Sequence, residues 1–247
     1  EFIYKISPVF IQNLFAAAYG YKEKRLRYGG KYFEFTKQLQ EAESWGVEKQ
    51  ATYQNQKLQE LVRYCYEQVP YYQELFQNLG LTSDSIRSAE DLKKIPVLEK
   101  HTVRENFKKF VPKNSPEKLI SQTTGGTTGT PLKYFVTPSA VQFNYAAYET
   151  RFRNWAGVRF GQKFASLNGK VIVPLSNQKP PFWRYNPAFK QVYLSAYHLR
   201  EENLESYLKC LEKFQPEFMV GYVSTVHPIA KFILKTGVKI GFQLKAV

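Results

Sequence analysis

The sequence predicts an α/β protein in which a mainly helical N-terminal region, residues 1–115, precedes an α/β region with a mixed or parallel sheet, residues 116–247. Three observations carry this. Apolar residues before position 110 recur every three to four places, short strand-like runs follow position 116, and the last fifty residues alternate strand, helix, strand. A length of 247 residues, 43% hydrophobic and 16% aromatic, supplies a sizeable core and excludes a disordered chain. Cys65 and Cys210 stand far apart without a Cys-x-x-Cys pattern, which excludes a disulfide scaffold and structural zinc and makes the cytoplasm the expected compartment.

The segment Val9 to Tyr21 reads as a helix packed against its own domain. Because Lys22, Lys24, Arg25 and Arg27 follow it, peripheral contact with a membrane surface is the alternative. Only Lys5 precedes this segment, a poor match to a secretory leader, and no apolar run is long enough to predict a membrane span. From Tyr53 to Val69, Leu58, Leu61, Val62 and Cys65 form a helical stripe, with Cys65 a small core residue rather than a reactive thiol. Pro70 ends that helix, and Tyr71 and Tyr72 begin a short apolar run through Leu75 and Phe76 that reads as packing. Ser88 with Asp91 and Thr102 with Glu105 have capping-box spacing, so each is expected to start a short helix, with Ile95 to Leu98 extended between them.

Ser121-Gln-Thr-Thr-Gly-Gly-Thr-Thr-Gly-Thr-Pro-Leu-Lys133 separates two strand-like runs, Lys118 to Gln122 and Leu132 to Thr137. Glycines let backbone amides turn inward, hydroxyls add donors and Lys133 adds positive charge, which together suit phosphate oxygens. The spacing is neither that of a Walker A loop nor of a dinucleotide fingerprint, and a plain hairpin turn needs fewer residues. Ser139 with Gln142 is expected to open a helix whose Val141, Tyr145, Tyr148, Phe152 and Trp155 share a face, read as core rather than a base-stacking platform. Phe164 to Leu167, Val171 to Val173, Gln191 to Leu194, Phe218 to Tyr222 and Gln243 to Val247 read as strands; Leu204 to Leu211 and Val226 to Ile233 read as helices. Ligand crevices open at the carboxyl ends of parallel strands, which marks Gly221, Tyr222 and Ser224.

Charge is uneven. Residues 121–247 hold 16 Lys/Arg against 6 Asp/Glu, and between Gln122 and Leu199 Glu149 alone faces nine cations, Arg151 and Arg153 among them. An anionic partner is expected there, whether nucleotide, carrier, nucleic acid or membrane. Nucleic acid is disfavoured because Lys/Arg do not cluster in runs. His101, His198 and His227 lack metal-ligand spacing; His101 reads as a turn residue, whereas His198 and His227 lie beside segments that could border a substrate. No Gly-x-Ser-x-Gly elbow occurs, which disfavours a serine hydrolase.

Thr124-Gly-Gly-Thr-Thr-Gly-Thr-Pro-Leu-Lys133 resembles the phosphate loop of the adenylate-forming enzymes, in particular the phenylacetate–CoA ligase branch with its relatives from capsular polysaccharide gene clusters. Val69-Pro-Tyr-Tyr72, Ile95-Pro96-Val97, Tyr197-His-Leu199 and Phe218 to Ser224 agree, so the likeness covers residues 53 to 247. It implies the front part of an adenylate-forming large domain and AMP-forming acid–thiol ligase activity, with ATP, a carboxylic acid and CoA or a carrier thiol as partners. It further implies Thr124, Gly125, Gly126, Thr127, Thr128, Gly129 and Thr130 as phosphate contacts, Lys133 as an electrostatic catalytic helper, and Gly221, Tyr222 and Ser224 beside the acid. Gly125 replaces the family's usual hydroxyl residue, and Leu132 stands where many members have lysine. The family's later aspartate, its aromatic-Gly-x-Thr-Glu segment and its lid lysine are not in this chain, so its Mg²⁺ ligands are expected elsewhere and little activity is expected of these residues alone. A non-catalytic interaction module and a basic nucleic-acid binder stay open as alternatives.

Overall fold

The computed structural model describes residues 2–125 and 131–247. They form two compact units, 1–36 with 144–247, and 37–143.

In the unit formed by 37–143, helix α4 (Val47–Gln68) meets α5 (Pro70–Asn78) at an extended Val69. Proline suits the first position of α5 because its missing N–H would have no helical partner there. Gly80, at φ +65°, ends α5: its N–H reaches Gln77 O and the Leu81 N–H reaches Phe76 O, closing the last turn. Val62, Phe76 and Ile86 are buried together, with Leu58, Tyr66, Tyr72, Leu81 and Ile95 packed around them. Leu61, expected in the same stripe, is exposed, because the contact with α5 covers only the Leu58–Val62 side of α4.

Ser88 and Asp91 form the expected capping box, with Asp91 Oδ2 accepting the Ser88 N–H at 3.1 Å. Thr102 does not cap: it lies inside α6 (Lys100–Glu105), which starts after Glu99, and its carbonyl accepts the Asn106 amide at the far end. His101 is accordingly helical rather than in a turn. Strands β1 (Ile120–Thr123) and β2 (Lys133–Val136) pair antiparallel. Helix α7 (Pro138–Tyr148) begins one residue before Ser139; Thr137 receives the Ala140 N–H, while the Ser139 hydroxyl and amide both donate to Glu117.

The other unit opens with α1 (Phe2–Ile6) and α2 (Val9–Tyr28). Its sheet has the order β4-β5-β3-β6, from β3 (Phe164–Leu167), β4 (Trp183–Asn186), β5 (Gln191–Leu194) and β6 (Phe218–Gly221). β3 runs parallel to β5 and β6, and β4 is antiparallel to β5. The expected parallel construction is present, but Val171 to Val173 is irregular and residues 243–247 contribute a single bridge, Ala246 to Phe218. One face of the sheet carries Ala165, Leu167, Val192, Leu194 and Met219. These pack with α8 (Leu204–Phe214) and α9 (Val223–Thr236), whose Tyr207, Leu208, Leu211 and Ile229 are buried.

The opposite face meets α2. Arg184 Nε donates to Gln12 Oε1 at 2.6 Å, the Tyr185 N–H donates to Asn13 Oδ1 at 3.0 Å, and Gly20 lies against Asn186. Asn13 of α2 thus satisfies a backbone N–H on the outer edge of β4, an edge that would otherwise present it unpaired. This is the expected packing of the N-terminal helix on its own domain, and it leaves Phe10, Leu14 and Tyr21 exposed.

Candidate functional site

The Gly/Thr segment is carried on the β1–β2 pair. Thr123 stands opposite Lys133, and the pairing continues one step beyond the strands: the Thr124 N–H donates to Leu132 O, and the Leu132 N–H donates to Thr124 Oγ1, both at 2.9 Å. Thr124 therefore spends its hydroxyl acceptor on the neck of the turn. Gly125 is exposed with open space where a Cβ would stand. The predicted contacts Gly126, Thr127, Thr128, Gly129 and Thr130 lie outside the described residues. Lys133 is exposed at the start of β2, its ammonium 5.4 Å from the Phe107 ring centre and 5.9 Å from that of Phe135. Two aromatic faces thus hold its charge without neutralising it.

Gly221, Tyr222 and Ser224 come together at the junction of β6 and α9, exposed at the carboxyl end of the parallel strands. A Cβ at Gly221 would stand 3.0 Å from Leu167 O and 2.9 Å from Val226, so glycine is what lets the turn lie against β3. The Tyr222 ring is exposed, and the Thr225 hydroxyl donates to Tyr222 O, tightening the first turn of α9.

The expectations for cations and histidines need revision. Arg153 is not a free cation: its Nη1 meets Glu149 Oε1 at 2.6 Å, the Glu149 side chain buried and that of Arg153 largely so. The Tyr28 hydroxyl donates to the same oxygen at 2.8 Å, and burial, then the Glu149 charge, push the Tyr28 pKa up. Glu149, the lone acid of its stretch, thus has a structural partner, because a buried carboxylate is tolerable only when paired and hydrogen-bonded. It opens a wide helical turn, Glu149–Arg153, that carries the chain on from α7. Phe152 within that turn and Trp155 just past it are exposed, which corrects their assignment to the core; Tyr145 and Tyr148 are half-buried. His198 is a core histidine: it is buried, its Nδ1 is 2.8 Å from Ser195 Oγ, its ring stacks on Phe182, and burial lowers its pKa. His227 is exposed on α9.

Both cysteines are free. Burial raises the pKa of each, that of Cys210 to about 12. Among the described residues no group of three or more His, Cys, Asp or Glu could hold a metal ion. Among the described residues no helix is long and apolar enough to cross a membrane. Sequence reasoning missed the polar row on β4, Arg184 and Asn186, because the Pro180-Pro181 signal masked a strand beginning two residues later.

The fold resembles that of a 2-hydroxyisobutyryl-CoA ligase solved with 2-HIB-AMP and CoA in its thioesterification state: TM-score 0.53 at 17% identity, over 79% of this chain and 42% of that one. The same enzyme in a postadenylation state gives a TM-score of 0.53 at 15% identity. The chain thus shares the α/β fold of the corresponding part of that enzyme. No protein-family model matches the chain. Protein CapK of Staphylococcus aureus is 34% identical over all 247 residues, which span 53% of its length. A phenylacetate-coenzyme A ligase of Thermus thermophilus is 31% identical over 132 residues, 52% of this chain and 29% of that enzyme. The chain is thus homologous to CapK and to phenylacetate-coenzyme A ligases and matches an N-terminal portion of adenylate-forming enzymes. It spans about half the length of the relative it matches throughout.

Proposed function

We propose that the protein acts as an AMP-forming carboxylate–CoA ligase, serving surface polysaccharide synthesis as its resemblance to capsular relatives implies. A carboxylate oxygen attacks the α-phosphorus of ATP and the bond to pyrophosphate breaks, giving acyl-AMP. The sulfur of CoA or a carrier thiol then attacks the acyl carbon, its proton is released to solvent and AMP departs. No protein nucleophile is required, so the chain's task is to position the reactants and stabilise phosphate charge. The observation that carries the reading is the ten-residue run Thr124 to Lys133, held at its neck by the Thr124–Leu132 bonds with Lys133 at one foot.

In this reading Thr124, Gly125, Gly126, Thr127, Thr128, Gly129 and Thr130 hold the β and γ phosphates and Lys133 supplies positive charge. Thr124 contributes through its hydroxyl proton, since the oxygen already accepts the Leu132 amide. Gly125 contributes backbone alone. Gly221, Tyr222 and Ser224 border the acid. The test is ATP–pyrophosphate exchange in the intact protein, comparing wild type with Thr127→Ala/Lys133→Ala. Loss of loop donors and charge should slow exchange by roughly tenfold or more. Unchanged exchange at matched folding would remove the loop from the chemistry.

A further inference from the structure

Helix α2 meets the sheet with one side only. Gln12 and Gly20, its buried residues, fall on the side that packs on β4. At 3.6 residues per turn, Phe10, Leu14, Ala18, Tyr21 and Arg25 fall together on the other side, within about 80° of arc and along about 22 Å of helix. All five are exposed, Phe10 at 72% and Leu14 at 69%. At the same end α1 is tied down by its Tyr4 hydroxyl, which donates to Ile172 O at 2.6 Å, and Ile3 and Ile6 are left exposed. Scattered apolar side chains on a surface need no explanation, but a grouped set marks a contact face.

Charge is sorted along the same helix. Its one carboxylate, Glu23, lies on the inner side and is taken by Arg27, whose guanidinium also stands 4.6 Å from the Tyr145 ring centre. Lys24 is held 5.5 Å from the ring centre of Phe160. Lys22 and Arg25 remain, exposed and without an ion pair among the described residues, at the end where the apolar row stops. The outer side of α2 therefore runs from apolar residues through Tyr21 to two cations, with no carboxylate on it.

That order complements the surface of an anionic bilayer. Acyl chains accept Phe10 and Leu14, the headgroup layer accepts an apolar ring with a polar tip at Tyr21, and lipid phosphates meet Lys22 and Arg25. A second copy packed on the same face would bring two more cations and again no carboxylate. Within its own unit α2 packs on β4, on α1 and on the turn Pro187–Phe189, so its outer row stands as a ridge. Helical peptides dock into grooves, whereas a bilayer takes up a ridge.

We propose that the outer face of α1 and α2 docks the protein on an anionic phospholipid bilayer, with the axis of α2 lying along the surface. One side of the helix then serves its own domain and the other the membrane. This surface goes beyond the ligase reading and does not rest on it.

Co-sedimentation of the intact protein with lipid vesicles tests the proposal. Vesicles of equal parts phosphatidylglycerol and phosphatidylcholine should bind at least about tenfold more tightly than vesicles of phosphatidylcholine alone, since each basic residue near an anionic surface contributes about fivefold. Added salt should weaken that binding. Lys22→Gln/Arg25→Gln should weaken it by roughly tenfold or more. Phe10→Ser/Leu14→Ser should weaken it by about tenfold while the preference for anionic vesicles persists. Both variants should melt with the wild type, because the altered side chains are exposed. No binding to the anionic vesicles, equal binding to both kinds, or an unaltered Phe10→Ser/Leu14→Ser variant would each overturn the proposal. So would a lipid-free dimer, seen by light scattering, that this variant disperses, since the face would then belong to a second copy. Pyrophosphate exchange without lipid reads the ligase reaction separately, so either idea can fail alone.

Discussion

A double-mutant cycle on Gln12 and Arg184 measures how firmly the N-terminal helix is fastened to the edge of the sheet. The two residues are 172 positions apart, both nearly fully buried, and joined by a 2.6 Å bond from the guanidinium to the amide oxygen. A hydrogen bond with one charged partner contributes about 1.5–3 kcal/mol, so the coupling energy should fall in that range. Arg184→Met also strands the carbonyls of Pro181 and Trp183, at about 1–3 kcal/mol per unsatisfied acceptor. Removing a desolvated cation returns part of this, leaving a net loss of roughly 2–4 kcal/mol. Gln12→Ala should cost about 2–3 kcal/mol, because it leaves the guanidinium short of an acceptor. Urea unfolding of the four proteins, followed by circular dichroism, gives each value. A coupling energy below about 0.5 kcal/mol, the level at which independent sites simply add, would refute the reasoning that this bond ties α2 to β4.

Two further outcomes follow from the same packing. Gly221→Ala should destabilise the protein by about 1–3 kcal/mol, because the added Cβ meets a backbone carbonyl that cannot step aside; a thermal melt within error of wild type would show that the turn relaxes. Cys210, with its pKa pushed up to about 12, stays a neutral thiol when folded. A raised acid pKa contributes stability below the unfolded thiol pKa, so stability should fall as pH climbs through about 9 towards 12. Iodoacetamide at pH 8 should label Cys210 only after unfolding, and rapid labelling of the native protein, read by mass spectrometry, would contradict its burial.

Much of the local structure was written in the sequence because it depends on neighbours a few residues apart. The Ser88–Asp91 capping box, the end of α4 just before Pro70, the β1–β2 flanks of the Gly/Thr run, and the stripes of α8 and α9 all follow from spacing and backbone preference. So did the parallel character of the sheet, seen in the pairing of β3 with β5 and β6, since strand–helix–strand order implies it.

What spacing could not reveal were outcomes set by distant partners. Thr102 has a capping pattern but sits inside α6, Leu61 fits the α4 stripe but faces solvent, and Phe152 and Trp155 leave the core at and just after the wide turn that Glu149 opens. Arg153 looked like one of nine cations in a basic stretch until the fold set Glu149 and Tyr28 against it. Likewise, Arg184, Asn186, Ser166 and Gln191 read as scattered polar residues along the chain. Only the strand register gathers them on one covered face, because cross-strand neighbours are chosen by pairing between segments, and no local pattern encodes that choice.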